Sequence, residues 1–162
     1  MTVDDLVQRV AAALAPLDTV LVAWIFGSRI AGTATERSDL DVAVSLARHL
    51  DDDDRERARR RIVASLTDAL GMLGERTDVV DIDRASSSVA FRAIREGRRL
   101  VCRSESDRVA AEVRVARRYD DEAEARIVSG SRVPPRRPSP SSRAQRPATS
   151  ERPRPTRCCA LP

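Results

Sequence analysis

Lysine is absent from this 162-residue chain, histidine occurs once, and the only aromatic residues are Trp24, Phe26, Phe91 and Tyr119. With so few rings, the core has to be assembled from Val, Leu, Ile and Ala. The single histidine, His49, stands beside an acidic run and reads as a surface residue, which excludes Ser-His-Asp and Cys-His chemistry. Of the three cysteines, Cys102 lies in an apolar segment and Cys158 and Cys159 in a polar C-terminal stretch. That is neither a disulfide framework nor a zinc site. No apolar run approaches the ~20 residues needed to span a bilayer, and the acidic, amphipathic start MTVDDLVQRV is unlike a signal peptide. A soluble cytoplasmic protein is expected.

The formal charge of +4 is unevenly placed. All 29 basic residues are arginine, and residues 129–162 carry eight of them against one acid, Glu151. Residues 1–128 are left with 21 arginines and 24 acids, a net charge of −3. The basic balance therefore says nothing about nucleic-acid binding by the first 128 residues. Eight of the nine prolines also lie beyond residue 129, mixed with Arg and Ser. Such a segment cannot bury enough apolar surface to offset its ordering entropy. Two regions are expected: a folded domain over 1–128, and a disordered Arg/Pro/Ser-rich tail over 129–162 without a catalytic role.

Within 1–128 the pattern alternates between helix and strand. Thr2 and Asp5 form a capping-box-like start to a helix carrying Leu6, Val10, Ala13 and Leu14. Strands are predicted over Val20 to Phe26, Asp39 to Leu46, Asp78 to Ile82 and Arg98 to Arg103. The Asp51 to Asp54 run suits the N-terminus of a long helix, Asp53 to Leu73, through the helix dipole. Ala58, Ile62, Leu66, Ala69, Leu70 and Leu73 form its apolar stripe, and Arg55, Arg57, Arg59 and Arg60 its solvated face. Ser86 or Ser87 caps a helix ending at Gly97. Ser104 opens the last helix, with Val109, Val113, Ala116 and Tyr119 expected to face inward.

The stretch WIFGSRIAGTATERSDLDVAVSL, residues 24–46, concentrates the chemistry. An apolar strand runs into Gly27-Ser28, ten residues intervene, and a second apolar strand carries Asp39 and Asp41. Side chains two apart on a strand project the same way, roughly 6.5–7 Å apart along the backbone. Two like charges aimed at one spot repel unless a cation lies between them. Hard oxygen ligands favour Mg²⁺, which keeps positions for water and substrate phosphate. Gly27 permits close backbone approach, and Ser28 adds a hydroxyl and an amide for a phosphate. Either acid alone would read as a turn or surface residue; the Gly-Ser turn at this distance makes the pair a metal–nucleotide site. A third carboxylate near an acceptor hydroxyl would complete such a site. The strand TDVVDID offers Asp78 on one face, or Asp81 and Asp83 on the other.

Gly27-Ser28, Asp39-Leu40-Asp41, the fuller form GSRIAG…SDLDVAV, and the later FRAIREGRRLVCR resemble the DNA polymerase beta-like nucleotidyltransferase superfamily, and in particular its minimal (MNT) members. The resemblance covers about residues 5 to 125; Tyr119-Asp120-Asp121 is also similar to the family's last helix. It implies an α+β fold, a small mixed sheet of about four strands flanked by helices. It implies transfer of AMP from ATP to a hydroxyl with Mg²⁺, and it favours Asp78 over Asp81 as third carboxylate beside Asp39 and Asp41. Gly27, Ser28 and Arg29 would serve the nucleotide, although Arg29 fits a surface ion pair equally well. Ser38 reads as structural. MNT antitoxins act on a tyrosine of a cognate HEPN toxin, so a HEPN-type partner is implied. A small-molecule acceptor such as an aminoglycoside, or toxin binding without catalysis, are the alternatives. The Arg/Pro/Ser tail departs from the minimal pattern.

Overall fold

The computed structural model describes residues 1–128; the expectation of a disordered tail falls outside them. Ten elements follow in chain order: α1 (Val3–Leu14), β1 (Val20–Phe26), α2 (Ser28–Ala31), β2 (Leu40–Leu46), α3 (Asp52–Leu70), α4 (Met72–Glu75), β3 (Thr77–Asp81), α5 (Ser87–Glu96), β4 (Arg98–Cys102) and α6 (Glu105–Val128). The strands form one mixed sheet in the order β3-β2-β1-β4. β1 runs antiparallel to β2 and β4, while β2 and β3 are parallel. A parallel pair needs a long crossover, and α3 with α4 provides it.

Local chemistry explains most boundaries. Thr2 Oγ1 accepts from the Asp5 amide and Asp5 returns a bond to the Thr2 amide, both at 3.1 Å. Asp51 caps α3 by accepting from the Asp54 amide at 2.7 Å, and Asp52, Asp53 and Asp54 occupy the first turn. There the amide ends of the helix favour negative charge. Gly71, at φ +61°, stops α3 three residues before the expected end, and Leu73 belongs to the separate turn α4.

The sheet is covered on both faces. Leu40, Val42, Val44 and Leu46 of β2, with Val79 of β3, pack against Leu6, Val10 and Leu14 of α1 and Ala58, Ile62 and Leu66 of α3. On the other face Val22, Trp24 and Phe26 of β1, Ala43 and Ile82 meet Ala90 and Ala93 of α5 and Ala111 and Val115 of α6. An irregularity between Val20 and Val22 shifts the alternation of β1, so Val20, Ala23 and Ile25 share the first face.

Two expectations are corrected. In α6 the inward side chains are Ala111 and Val115, whereas Val109 and Val113 are 47% and 42% exposed. The inner face is completed by arginines: Arg114 pairs with Asp83, and Arg118 donates to the Ile82 and Asp83 carbonyls at 2.6 and 2.8 Å. In α3, Arg55 is not on the solvated face; it pairs with Asp81 at 2.6 Å, each side chain 14% exposed.

Among the described residues, no helix is long and apolar enough to cross a membrane.

Candidate functional site

β1 ends in Phe26, and Gly27 turns the chain into α2. Gly27 has φ +78° and ψ −160°, a region essentially reserved for glycine. Its carbonyl accepts from the Ile30 and Ala31 amides at 3.2 and 3.0 Å. The first-turn amides of a helix have no intrahelical acceptor, so those of Ser28 and Arg29 are directed out of the turn. A Cβ on Gly27 would collide with the Asp41 carboxylate. The missing side chain is thus what lets Asp41 stand against the Gly-Ser turn.

Asp41 pairs in register with Phe26 on one side and with Asp78 on the other. Paired residues on neighbouring strands lie about 4.8 Å apart and share a face. Asp41 alternates with Ala43, and Asp78 with Val80 and Ile82, so both acids lie on the α5/α6 face. Burial pushes the Asp41 carboxyl above the usual carboxylate range. The Asp78 charge pushes it further, as Asp39 does to a smaller degree, against Arg92 and Arg29. Asp41 is therefore the acid with most to gain from a cation.

Asp39 lies just ahead of β2, largely exposed, and its carboxylate meets Arg76 at 3.1 Å. Arg76 also donates to the Glu36 carbonyl at 3.1 Å. Arg29 donates from Nε to the Asp39 carbonyl at 3.2 Å and from Nη2 to the Ser38 carbonyl. Ser38 Oγ accepts from the Thr35 amide at 2.9 Å, a turn contact. The loop before β2 is thus braced from α2 by Arg29 and from the start of β3 by Arg76.

The remaining acids separate cleanly. The Asp78 side chain is 61% exposed, with Arg59 4.0 Å away. Asp81 is held by Arg55 and also accepts from the Asp83 amide at 3.0 Å. Asp83 pairs with Arg114 at 3.1 Å. The expectation that Asp81 and Asp83 share a face fails, because β3 ends at Asp81 and a turn redirects Asp83 toward α6.

The donor set near Gly27 consists of hard carboxylate oxygens, which suits a divalent cation such as Mg²⁺. Among the described residues no three acidic, His or Cys side chains are gathered as a ready metal-binding group. Asp39 meets Arg76 through Oδ1, which leaves its second carboxylate oxygen for a cation shared with Asp41. A cavity of about 480 Å³ lies beside α3, lined by Val44, Leu46, Arg55, Arg59, Val79 and Asp81 among others. None of Gly27, Asp39, Asp41 or Asp78 lines it; Asp39 and Asp78 are exposed, and Gly27 and Asp41 are half-buried.

Residues 8–106 match the family model described as polymerase beta, nucleotidyltransferase. The chain belongs to that family and is a nucleotidyltransferase. Among solved structures it is similar to a chain of a toxin–antitoxin complex crystallised with AMP-PNP. That match has 22% identity, covers 76% of this chain and 94% of the other, and has a TM-score of 0.57. It is also similar to a chain of the tri-AMPylated Shewanella oneidensis HEPN toxin in complex with MNT antitoxin. Here identity is 20%, coverage is 76% and 94%, and the TM-score is 0.51. At these identities the likeness establishes the fold. No curated protein matches the chain.

Arg76, Arg59 and Arg92 surround the acids, yet the sequence reading assigned none of them to the site. Arg76 directly precedes Thr77-Asp78, and that adjacency is the one sequence signal that could have marked it.

Proposed function

We propose that this nucleotidyltransferase moves AMP from ATP to a hydroxyl, specifically a tyrosine of a HEPN-type partner toxin, and so acts as its antitoxin. The observation that carries the reading is the placement of Asp41 against Gly27 and in register with Asp78. The toxin–antitoxin complexes of the same fold, one with AMP-PNP and one with an AMPylated HEPN toxin, support the nucleotide and the partner. A reaction that uses ATP and a toxin acceptor would belong to the cytoplasm.

Asp39 and Asp41 would hold Mg²⁺, with Asp78 completing the acidic set. When bound, the cation would neutralise phosphoryl charge and orient the α-phosphate. The amides after Gly27 and the Ser28 hydroxyl grip the phosphates. The acceptor oxygen attacks the α-phosphorus, the bond to the β-phosphate oxygen breaks, and pyrophosphate leaves. Asp78, exposed and in register with the half-buried Asp41, would accept the hydroxyl proton. Arg29 works through the loop, holding Ser38 and Asp39 in place. Catalysis is thus positioning and charge neutralisation.

The test is incubation of the purified protein with labelled ATP, Mg²⁺ and the HEPN protein encoded beside it. Label should pass to the toxin, and the Asp39→Ala/Asp41→Ala variant should transfer none. Equal transfer by that variant would refute the site. Label reaching an aminoglycoside instead would reassign the acceptor, and full neutralisation by the double variant would make the protein a non-catalytic binder.

A further inference from the structure

The arginines nearest the three acids are mostly committed. Arg29 spends its donors on the Ser38 and Asp39 carbonyls, Arg76 on Asp39 and Glu36, and Arg59 lies between Glu56 and Asp78. Arg92 differs. Among the described residues it forms no ion pair, and its guanidinium carbon sits 6.0 Å from the centroid of the Phe26 ring.

Phe26 is the residue before Gly27 and the register partner of Asp41. Arg92 is therefore held at the junction of the Gly-Ser turn and the acid pair. It projects from the exposed side of α5, whose other side buries Ala90 and Ala93. An arginine on an aromatic face keeps the edge of its guanidinium, with its N–H donors, free for other partners. The planar fork matches two phosphoryl oxygens. A nucleoside triphosphate carries more negative charge than a cation on Asp39 and Asp41 alone would neutralise.

We infer that Arg92, positioned by Phe26, is a phosphate-binding residue that selects nucleoside triphosphates over monophosphates. The inference rests on the nucleotide-transfer reading of the same site. Its chemistry is a charge-assisted, two-pronged contact from α5 beside Phe26.

Calorimetric titration of the full chain with AMP-PNP and with AMP, both with Mg²⁺, tests it on wild type, Arg92→Ala, Arg92→Lys and Phe26→Leu. Loss of a charge-assisted contact should weaken AMP-PNP about 10- to 100-fold in Arg92→Ala. AMP should change little, Arg92→Lys should retain part of the affinity, and Phe26→Leu should lose less than Arg92→Ala. Equal weakening for AMP-PNP and AMP would point to a structural role and overturn the assignment. So would AMP-PNP affinity in Arg92→Ala unchanged from that of a binding-competent wild type. A wild-type protein that binds no nucleotide would overturn the transfer reading and this inference together. A thermal melt of each variant separates misfolding from lost contact.

Discussion

Gly27 leaves no room for a side chain: the backbone conformation excludes one, and the space a Cβ would fill belongs to Asp41. Gly27→Ala is expected to destabilise the protein by about 1–3 kcal/mol from backbone strain alone. It should also abolish transfer, as read by urea unfolding and a label-transfer assay. Asp41 shows the opposite relation between stability and function. Its folded pKa is raised, chiefly by burial and by Asp78, so the ionised form at neutral pH is a cost that grows as pH rises through that pKa. Asp41→Asn in EDTA should melt slightly higher than wild type, by less than about 1 kcal/mol after solvent screening, while transfer disappears. A lower melting temperature would contradict the charge argument. Asp78 and Asp81 are three residues apart yet should respond differently. Asp81→Ala strands Arg55 in a largely buried position and should cost about 3 kcal/mol. Asp78→Ala, at an exposed position, should stay within about 0.5 kcal/mol and remove transfer. Denaturation midpoints set beside transfer rates check both outcomes.

At the scale of elements, α6 separates pattern from packing. Val109, Val113 and Ala116 imitate an apolar stripe, but the side turned to the sheet carries Ala111, Arg114, Val115 and Arg118. A search for apolar periodicity passes over that face because two of its members are arginines. They are tolerated there because the Ile82 and Asp83 carbonyls and the Asp83 carboxylate, just beyond β3, need donors and receive them from Arg114 and Arg118. Val115→Ala should therefore cost about 2 kcal/mol, whereas Val113→Ala should stay within about 0.5 kcal/mol; chemical denaturation of the pair decides the register. The same blindness hid Arg55. It falls at a solvated position by composition, yet the far end of β3 supplies Asp81 as its partner. By contrast, β1, the cap at Thr2 and the acidic start of α3 were legible, because each depends on residues within a few positions of one another.

At the scale of the described residues, Gly27 and Asp41 are half-buried and Asp78 is exposed, and the cavity beside α3 contains none of them. Under the proposed function, the exposed Asp39 and Asp78 suit an acceptor hydroxyl brought by another protein. Residues 1–128 carry a net charge of −3, so the basic balance of the chain comes from the arginines beyond residue 128. A chain ending at residue 128 is expected to transfer AMP at the full-length rate; loss of transfer would assign the arginine-rich segment a part in the reaction.

The spacing of Gly27-Ser28 from Asp39 and Asp41 was written in the sequence, as were the four strands and the family they indicate. Turn geometry and strand alternation act over a few residues, so a linear reading recovers them. Which acid faces Asp41, which arginines brace the loop and which remain free were decided by tertiary structure. Parallel pairing of β2 with β3 puts Asp78 beside Asp41, α3 brings Arg55 to Asp81, and α5 places Arg92 over Phe26. Those are contacts between residues tens of positions apart, and the energies that select among them come from burial and charge pairing that exist only once the sheet has been covered on both faces.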